Sequence, residues 1–162
     1  SSLNLILPSL RVEKNKIFTS GNLGKLLDSL RENFDIILVD FPYNLFSFCS
    51  LDYQEYLDKL VIVSLPDLIS VSNLNIIVDS LGLDDFSALL SIIINRYNLG
   101  YSITPSRLNH LLKYPVRAFV PYDRDIEFLF LDRGPFSIFN YSLRIVKILT
   151  ELSEEMLAEL GF

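Results

Sequence analysis

The sequence predicts an α/β fold, three-layered, with a mainly parallel, doubly wound sheet of about five strands. Two observations carry this. Short apolar runs recur along the chain (FDIILVD, KLVIVS, ALLSIII, VRAFV), each bounded by Asp, Pro or Asn, as strands buried on both faces require. Between them lie segments with Leu, Ile and Val at helical spacing, so strand and helix alternate throughout. Four of the runs deliver polar residues at their exits: Asp40, Pro66-Asp67, Asn95-Arg96 and Pro121-Tyr122-Asp123. In a parallel sheet those exits share the edge where ligands bind.

The elements follow in order. Asn4–Leu7 reads as a short strand stopped by Pro8, and Arg11–Lys16 as charged, irregular chain. Leu23, Leu26, Leu27 and Leu30 predict a helix over Gly21–Glu32, capped by Ser20. Phe34–Asp40 is the next strand. Asn44–Leu57, rich in Phe, Tyr and Ser, ends in a short helix. Lys59–Ser64 is a strand, and Val71, Leu74, Ile77, Val78 and Leu81 mark a helix stopped by Gly82. After the Ala88–Ile94 strand, Thr104-Pro105 combines a hydroxyl cap with proline in the first turn, a strong helix start. Val116–Val120 is a strand. Asp123 can cap a helix running toward Gly134, although Glu127–Asp132 also alternates as a strand would. Asn140–Leu160 is a long amphipathic helix.

Composition narrows the function. At 162 residues the chain reads as one domain spanning 1–162, and no apolar run approaches the ~20 residues needed to cross a bilayer. A net charge of −6 disfavours a nucleic-acid surface. From Arg96 to Lys147, however, basic residues outnumber acidic ones by about two to one. The single cysteine, Cys49, precludes an internal disulfide and fits a reducing, cytoplasmic setting. With His110 the only histidine, no His/Cys metal site can be built, and Ser47 and Ser50 have no evident base.

The four exits, in their order and spacing, resemble the later part of the MinD/ParA-type ATPases, the P-loop NTPase-like branch with a deviant phosphate loop. The nearest flavour is the pilus-positioning CpaE/TadZ group. The resemblance runs from about Leu3 to Leu157. It implies that Asp40-Phe41-Pro42 is the Walker B element, with Asp40 as the catalytic carboxylate holding Mg2+ through water. It assigns Asn95 and Arg96 to the adenine of ATP and makes Pro121 and Asp123 complete the base pocket. Asp67 lies at the corresponding Pro-Asp exit, and Gly134-Pro135 matches a later Gly-x-Pro element in part. The implied function is a nucleotide-dependent dimerisation switch, a homodimer that positions a pilus or other polar assembly through protein partners.

One part of the pattern is absent. The only candidate phosphate loop, Ser20-Gly21-Asn22-Leu23-Gly24-Lys25-Leu26, lacks the signature lysine and the magnesium-binding hydroxyl, and reads as a helix start. The domain is thus expected to be incomplete at its amino end, with a phosphate loop upstream of Ser1 and no ATPase activity in this chain alone. The alternatives are a catalytically silent scaffold of the same fold and a receiver-like signalling domain with Asp40 as phosphoacceptor. The receiver lacks its acidic pair and its lysine. The final helix carries Glu151, Glu154, Glu155 and Glu159, which would repel anionic lipid, so its apolar face is expected on protein and not on membrane.

Overall fold

The computed structural model describes residues 20–40, 56–81, 89–98, 100, 103–141 and 143–162. The chain divides into two compact units, Ser1–Leu57 and Asp58–Phe162. The expected strand Asn4–Leu7, the irregular Arg11–Lys16 and most of the Asn44–Leu57 segment lie outside the described residues.

In the first unit, helix α1 spans Ser20–Arg31, close to the expected limits. Leu23 and Leu27, four residues apart, are buried on one face. Its end is closed by Asn33 and Phe34, whose backbone N–H groups both donate to the Leu30 carbonyl at 3.0 Å. Gly24 lies inside this helix, and a Cβ there would sit 2.9 Å from Tyr56 Oη, so a larger residue would have to displace the hydroxyl end of that ring. The Arg31 guanidinium lies 5.3 Å from the centre of the same Tyr56 ring.

The expected strand Phe34–Asp40 is not formed. Residues 36–40 make no ladder, and Leu38 is 88 % exposed. A strand buried on both faces needs a hydrogen-bonded neighbour and a covering layer. Among the described residues this stretch has no pairing strand, so its apolar composition alone does not make it a strand.

The second unit holds the sheet. Its elements are β1 (Leu60–Ser64), α2 (Leu68–Ser80), β2 (Leu90–Asn95), α3 (Pro105–Leu111), β3 (Val116–Val120), α4 (Arg124–Arg133), a 3-10 turn (Pro135–Asn140) and α5 (Arg144–Glu159). The strands are parallel in the order β1–β2–β3, with Ser64 opposite Ile94 and Asn95 opposite Val120. Three of the expected strands are formed, Phe34–Asp40 is not, and Asn4–Leu7 lies outside the described residues.

Sequential parallel order with right-handed crossovers places both connecting helices on one face. Val71, Leu74 and Val78 of α2 and Leu108 of α3 accordingly pack with Ile92 and Ile94. The opposite face is covered by α5, whose Ile145 and Leu152 meet Ile93 and Val120. That is the three-layer arrangement, and the apolar face of the acidic final helix is used on the protein's own sheet. Among the described residues no helix is long and apolar enough to cross a membrane.

Local signals explain the helix limits. Thr104 Oγ1 accepts from the Arg107 N–H with Pro105 in the first turn of α3. Asp123 caps α4, and Gly134, at φ +82°, ends it with its N–H on the Phe130 carbonyl. The alternative strand over Glu127–Asp132 is thereby overturned. Caps at both ends outweigh a short alternation.

A bulge interrupts the β2–β3 ladder. Ile92 faces Val116 but Ile93 faces Ala118, leaving Arg117 as the extra residue. The bulge turns its side chain toward α5. There Arg117 Nη1 lies 2.6 Å from Glu159 Oε1 and Nη2 lies 3.1 Å from Glu155 Oε2, while Lys59 Nζ lies 2.6 Å from Glu159 Oε2. The hydrogen bond from Lys59, then that from Arg117, holds the Glu159 carboxyl below its ordinary range. Among the described residues two buried polar atoms, Ser91 Oγ and Arg117 Nε, have no partner.

Two outcomes follow. A carboxylate whose pKa falls on folding stabilises above its unfolded pKa, and that contribution disappears as pH drops through the folded value. Glu159→Gln should therefore lower the melting temperature at pH 7 and shrink the loss between pH 5 and pH 3, read by thermal denaturation across pH. Ser91→Ala, which removes a buried hydroxyl without a partner, should be neutral or stabilise by up to ~1 kcal/mol in urea unfolding. A clear destabilisation would show that the hydroxyl is satisfied.

Candidate functional site

Parallel pairing brings the carboxyl ends of β1, β2 and β3 to one edge, and three of the four expected exits meet there. From β1 the chain passes Pro66, which is buried, to Asp67. Asp67 is the N-cap of α2. Its Oδ1 accepts from the N–H groups of Ile69 (3.0 Å) and Ser70 (2.9 Å), and its Oδ2 accepts from Ser70 Oγ (2.7 Å). The Ser70 N–H, followed by its hydroxyl, holds this carboxyl below its usual range.

Asn95 ends β2, half-buried, and its Oδ1 accepts from the Arg96 N–H at 2.9 Å. Arg96 then turns left-handed at φ +57°, uncommon for a residue other than glycine. The following loop is fastened to β3: the Tyr97 N–H donates to the Val120 carbonyl, and the Tyr122 N–H donates to Asn98 Oδ1. The Tyr97 ring meets Phe119 edge-on at 5.7 Å.

At the exit of β3, Pro121 is buried and Asp123 accepts from the Asp125 N–H at 2.9 Å, capping α4. The cap places Glu127 one turn along, where it joins the two exits. Its Oε1 lies 2.7 Å from Arg96 Nη2, and its Oε2 accepts from Tyr122 Oη at 3.0 Å. The Arg96 guanidinium stands 5.7 Å from the centre of the Tyr122 ring. The hydrogen bond to Glu127, then burial, raises the Tyr122 phenol above its ordinary pKa.

Asn95, Arg96, Pro121 and Asp123 thus adjoin at the ends of β2 and β3, with Asp67 one strand away. Asp40 belongs to the other unit, at the end of the unpaired stretch 34–40. Sequence reading missed Asn98, Tyr122 as a site residue and Glu127. The Asp123 cap was the available signal, since it fixes Glu127 in the first turn of a helix that starts at the edge.

Chemically, the edge offers a carboxamide, a guanidinium and a phenol ring beside a rigid proline. It suits a flat, hydrogen-bonding ligand. It holds no nucleophile with a base, and among the described residues no three His, Cys, Asp or Glu side chains converge as a metal site.

The fold has solved counterparts. A ParA family ATPase from Chlorobium tepidum superposes with a TM-score of 0.63 at 22 % identity, over 82 % of this chain and 56 % of its own. The cell division protein MinD of Aquifex aeolicus gives 0.65 at 18 % identity, over 86 % of this chain and 59 % of its own. The fold is MinD/ParA-like. This chain spans less than two thirds of the length of either protein. No family model matches the sequence, and no curated protein matches it.

Within the MinD/ParA-like frame, Asp67 acts on α2 through its cap. Asp67→Ala should cost ~1 kcal/mol of unfolding free energy at pH 7. The deficit should fade below pH 3, because the depressed carboxyl contributes only while ionised. Asp67→Asn keeps an acceptor and should recover most of the loss, as denaturant titrations at the two pH values would show.

Proposed function

We propose that this chain is part of a MinD/ParA-like nucleotide-binding ATPase domain, a dimerisation switch for subcellular positioning of a pilus or another polar assembly in the cytoplasm. One observation carries the reading: Asn95 and Arg96 stand beside Pro121 and Asp123 at adjoining strand ends. An adenine there would take a hydrogen bond from Asn95 Nδ2, while the second lone pair of Oδ1 accepts from the exocyclic amine. Pro121 forms a wall that demands no backbone donor. The Arg96–Tyr122 pair supplies a flat cation beside the base.

The described residues fit the base half of ATP. For the metal half, the resemblance assigns Mg2+ to Asp40, whose carboxylate would hold the ion through water. Hydrolysis needs phosphate-binding backbone and a lysine, which the reading places outside this sequence. A second reading, a silent scaffold that binds without turnover, draws support from Gly24. It lies within α1 against Tyr56 and not in a loop open to phosphate.

The test is titration with a fluorescent adenine nucleotide, competed with ATP and GTP. ATP should compete better than GTP, and Asn95→Ala should weaken binding about tenfold, the worth of one to two hydrogen bonds. Equal competition by GTP, or an unaffected Asn95→Ala, would remove the base assignment. Turnover by this chain should be absent, and robust magnesium-dependent hydrolysis would show that Gly21–Leu26 had been misread.

A further inference from the structure

We propose that Glu127 is a positioning residue for the base half of this site. It does not touch the ligand; it holds Arg96 and Tyr122 together as one flat wall, and adenine affinity depends on its reach. The inference rests on the nucleotide reading of the edge. The three side chains come from three places, the exit of β2, the exit of β3 and the first turn of α4. Glu127 gives each partner its own oxygen: Oε1 lies 2.7 Å from Arg96 Nη2, and Oε2 accepts from Tyr122 Oη at 3.0 Å. The guanidinium lies over the Tyr122 ring, 5.7 Å from its centre. A planar guanidinium stacks on flat faces, so with the ring on one side a base can lie on the other.

An acidic residue in the first turn of a helix is ordinary, because it complements the helix dipole. Asp125 already supplies such a charge to α4. The dipole asks only for charge near the helix end and would leave the carboxylate oxygens in water. Glu127 instead commits one oxygen to each neighbouring exit, which the dipole does not require.

Order before binding is what the carboxylate supplies. The hydrogen bonds that fix Arg96 and Tyr122 to the loop between them act on the main chain. Beyond the Cα an arginine has many rotamers, and freezing a rotamer-rich side chain on binding lowers affinity. A guanidinium and a ring that already face each other lose little more when a base arrives. The ion pair itself contributes little to folding, since both side chains are 46 % exposed. Its effect on binding can therefore be read apart from its effect on stability.

Titration of the whole chain with an adenine nucleotide labelled on its ribose, with Glu127→Asp and Asn95→Ala run side by side, decides it. Glu127→Asp keeps the charge and shortens the arm by one methylene. Its dissociation constant should rise about tenfold, as two side chains lose their prior order, while the melting temperature holds. In a Tyr122→Phe background the same substitution should cost less, because one of its two contacts is already gone. A further readout needs no nucleotide. The Tyr122 phenol, identified as the tyrosine signal lost in Tyr122→Phe, is held above its ordinary range first by the hydrogen bond to Glu127. In Glu127→Asp it should titrate lower by ultraviolet absorbance. Unchanged affinity in Glu127→Asp beside a weakened Asn95→Ala would overturn the positioning role and leave the base assignment standing. Weaker binding with an unmoved phenol, or with a fall in melting temperature, would reduce Glu127 to a charge or a fold residue and overturn it too. No adenine binding by the unsubstituted chain would remove the nucleotide reading and this inference together.

Discussion

Everything in the second unit depends on β2 being paired on both sides. Ile92 and Ile94 are almost fully buried, and the strand between β1 and β3 exchanges its backbone hydrogen bonds with both. A central strand whose Leu90, Ile92, Ile93 and Ile94 put apolar groups on both faces is stable only with a layer on each. The crossovers from β1 to β2 and from β2 to β3 advance in the same direction. Their right-handedness therefore puts α2 and α3 on one side and leaves the other uncovered. Covering that side is the work of α5, which starts near the carboxyl edge at Ile145 and finishes near the amino edge, where Glu155 and Glu159 meet Arg117 and Lys59.

The two edges of the sheet consequently do different things. At the amino edge, a bulge sacrifices one ladder position so that Arg117 reaches two glutamates, and the ion pairs hold the last turn of α5 against the strands. At the carboxyl edge, polar residues start helices. Asp67 and Asp123 spend their acceptors on the first N–H groups of α2 and α4, so neither is simply a carboxylate offered to a ligand. The groups left to recognise something flat are Asn95, Arg96 and Tyr122, with Glu127 holding the last two in register. A strand-exit aspartate can look like a ligand residue and still be a cap, because both roles need the same short carboxylate at the same place.

What the sequence revealed follows the range of the forces involved. β3 and the starts of α3 and α4 were legible because they are encoded locally, by a buried apolar run, Thr104-Pro105 and Asp123. The row of exits from β1, β2 and β3 was legible too, since parallel pairing turns sequence order into a row along one edge. The stretch Phe34–Asp40 was misread for the same reason. Hydrophobicity is local, but a strand exists only as a relation to a neighbouring backbone, and composition carries no information about that neighbour. The Arg117 bulge and the meeting of Arg96 with Glu127, 31 positions away, are likewise relations between elements, with no local signature.

Arg96 shows which forces set the geometry of the edge. A left-handed backbone costs a residue with a side chain roughly 1–2 kcal/mol. Its ion pair with Glu127 is about half exposed on both sides, and such pairs return about 0–1 kcal/mol. The side chain therefore does not set its own backbone. The hydrogen bonds on either side of it do so instead: Asn95 Oδ1 takes the Arg96 N–H, Val120 takes the next N–H, and Asn98 receives the N–H of Tyr122. Those contacts join the end of β2 to β3 and its exit, and they persist whichever anion the guanidinium faces. Exchanging Glu127 for a ligand's acceptor alters one exposed pair and leaves the frame standing. An edge built this way is ordered before anything binds, so little conformational entropy has to be lost when something does.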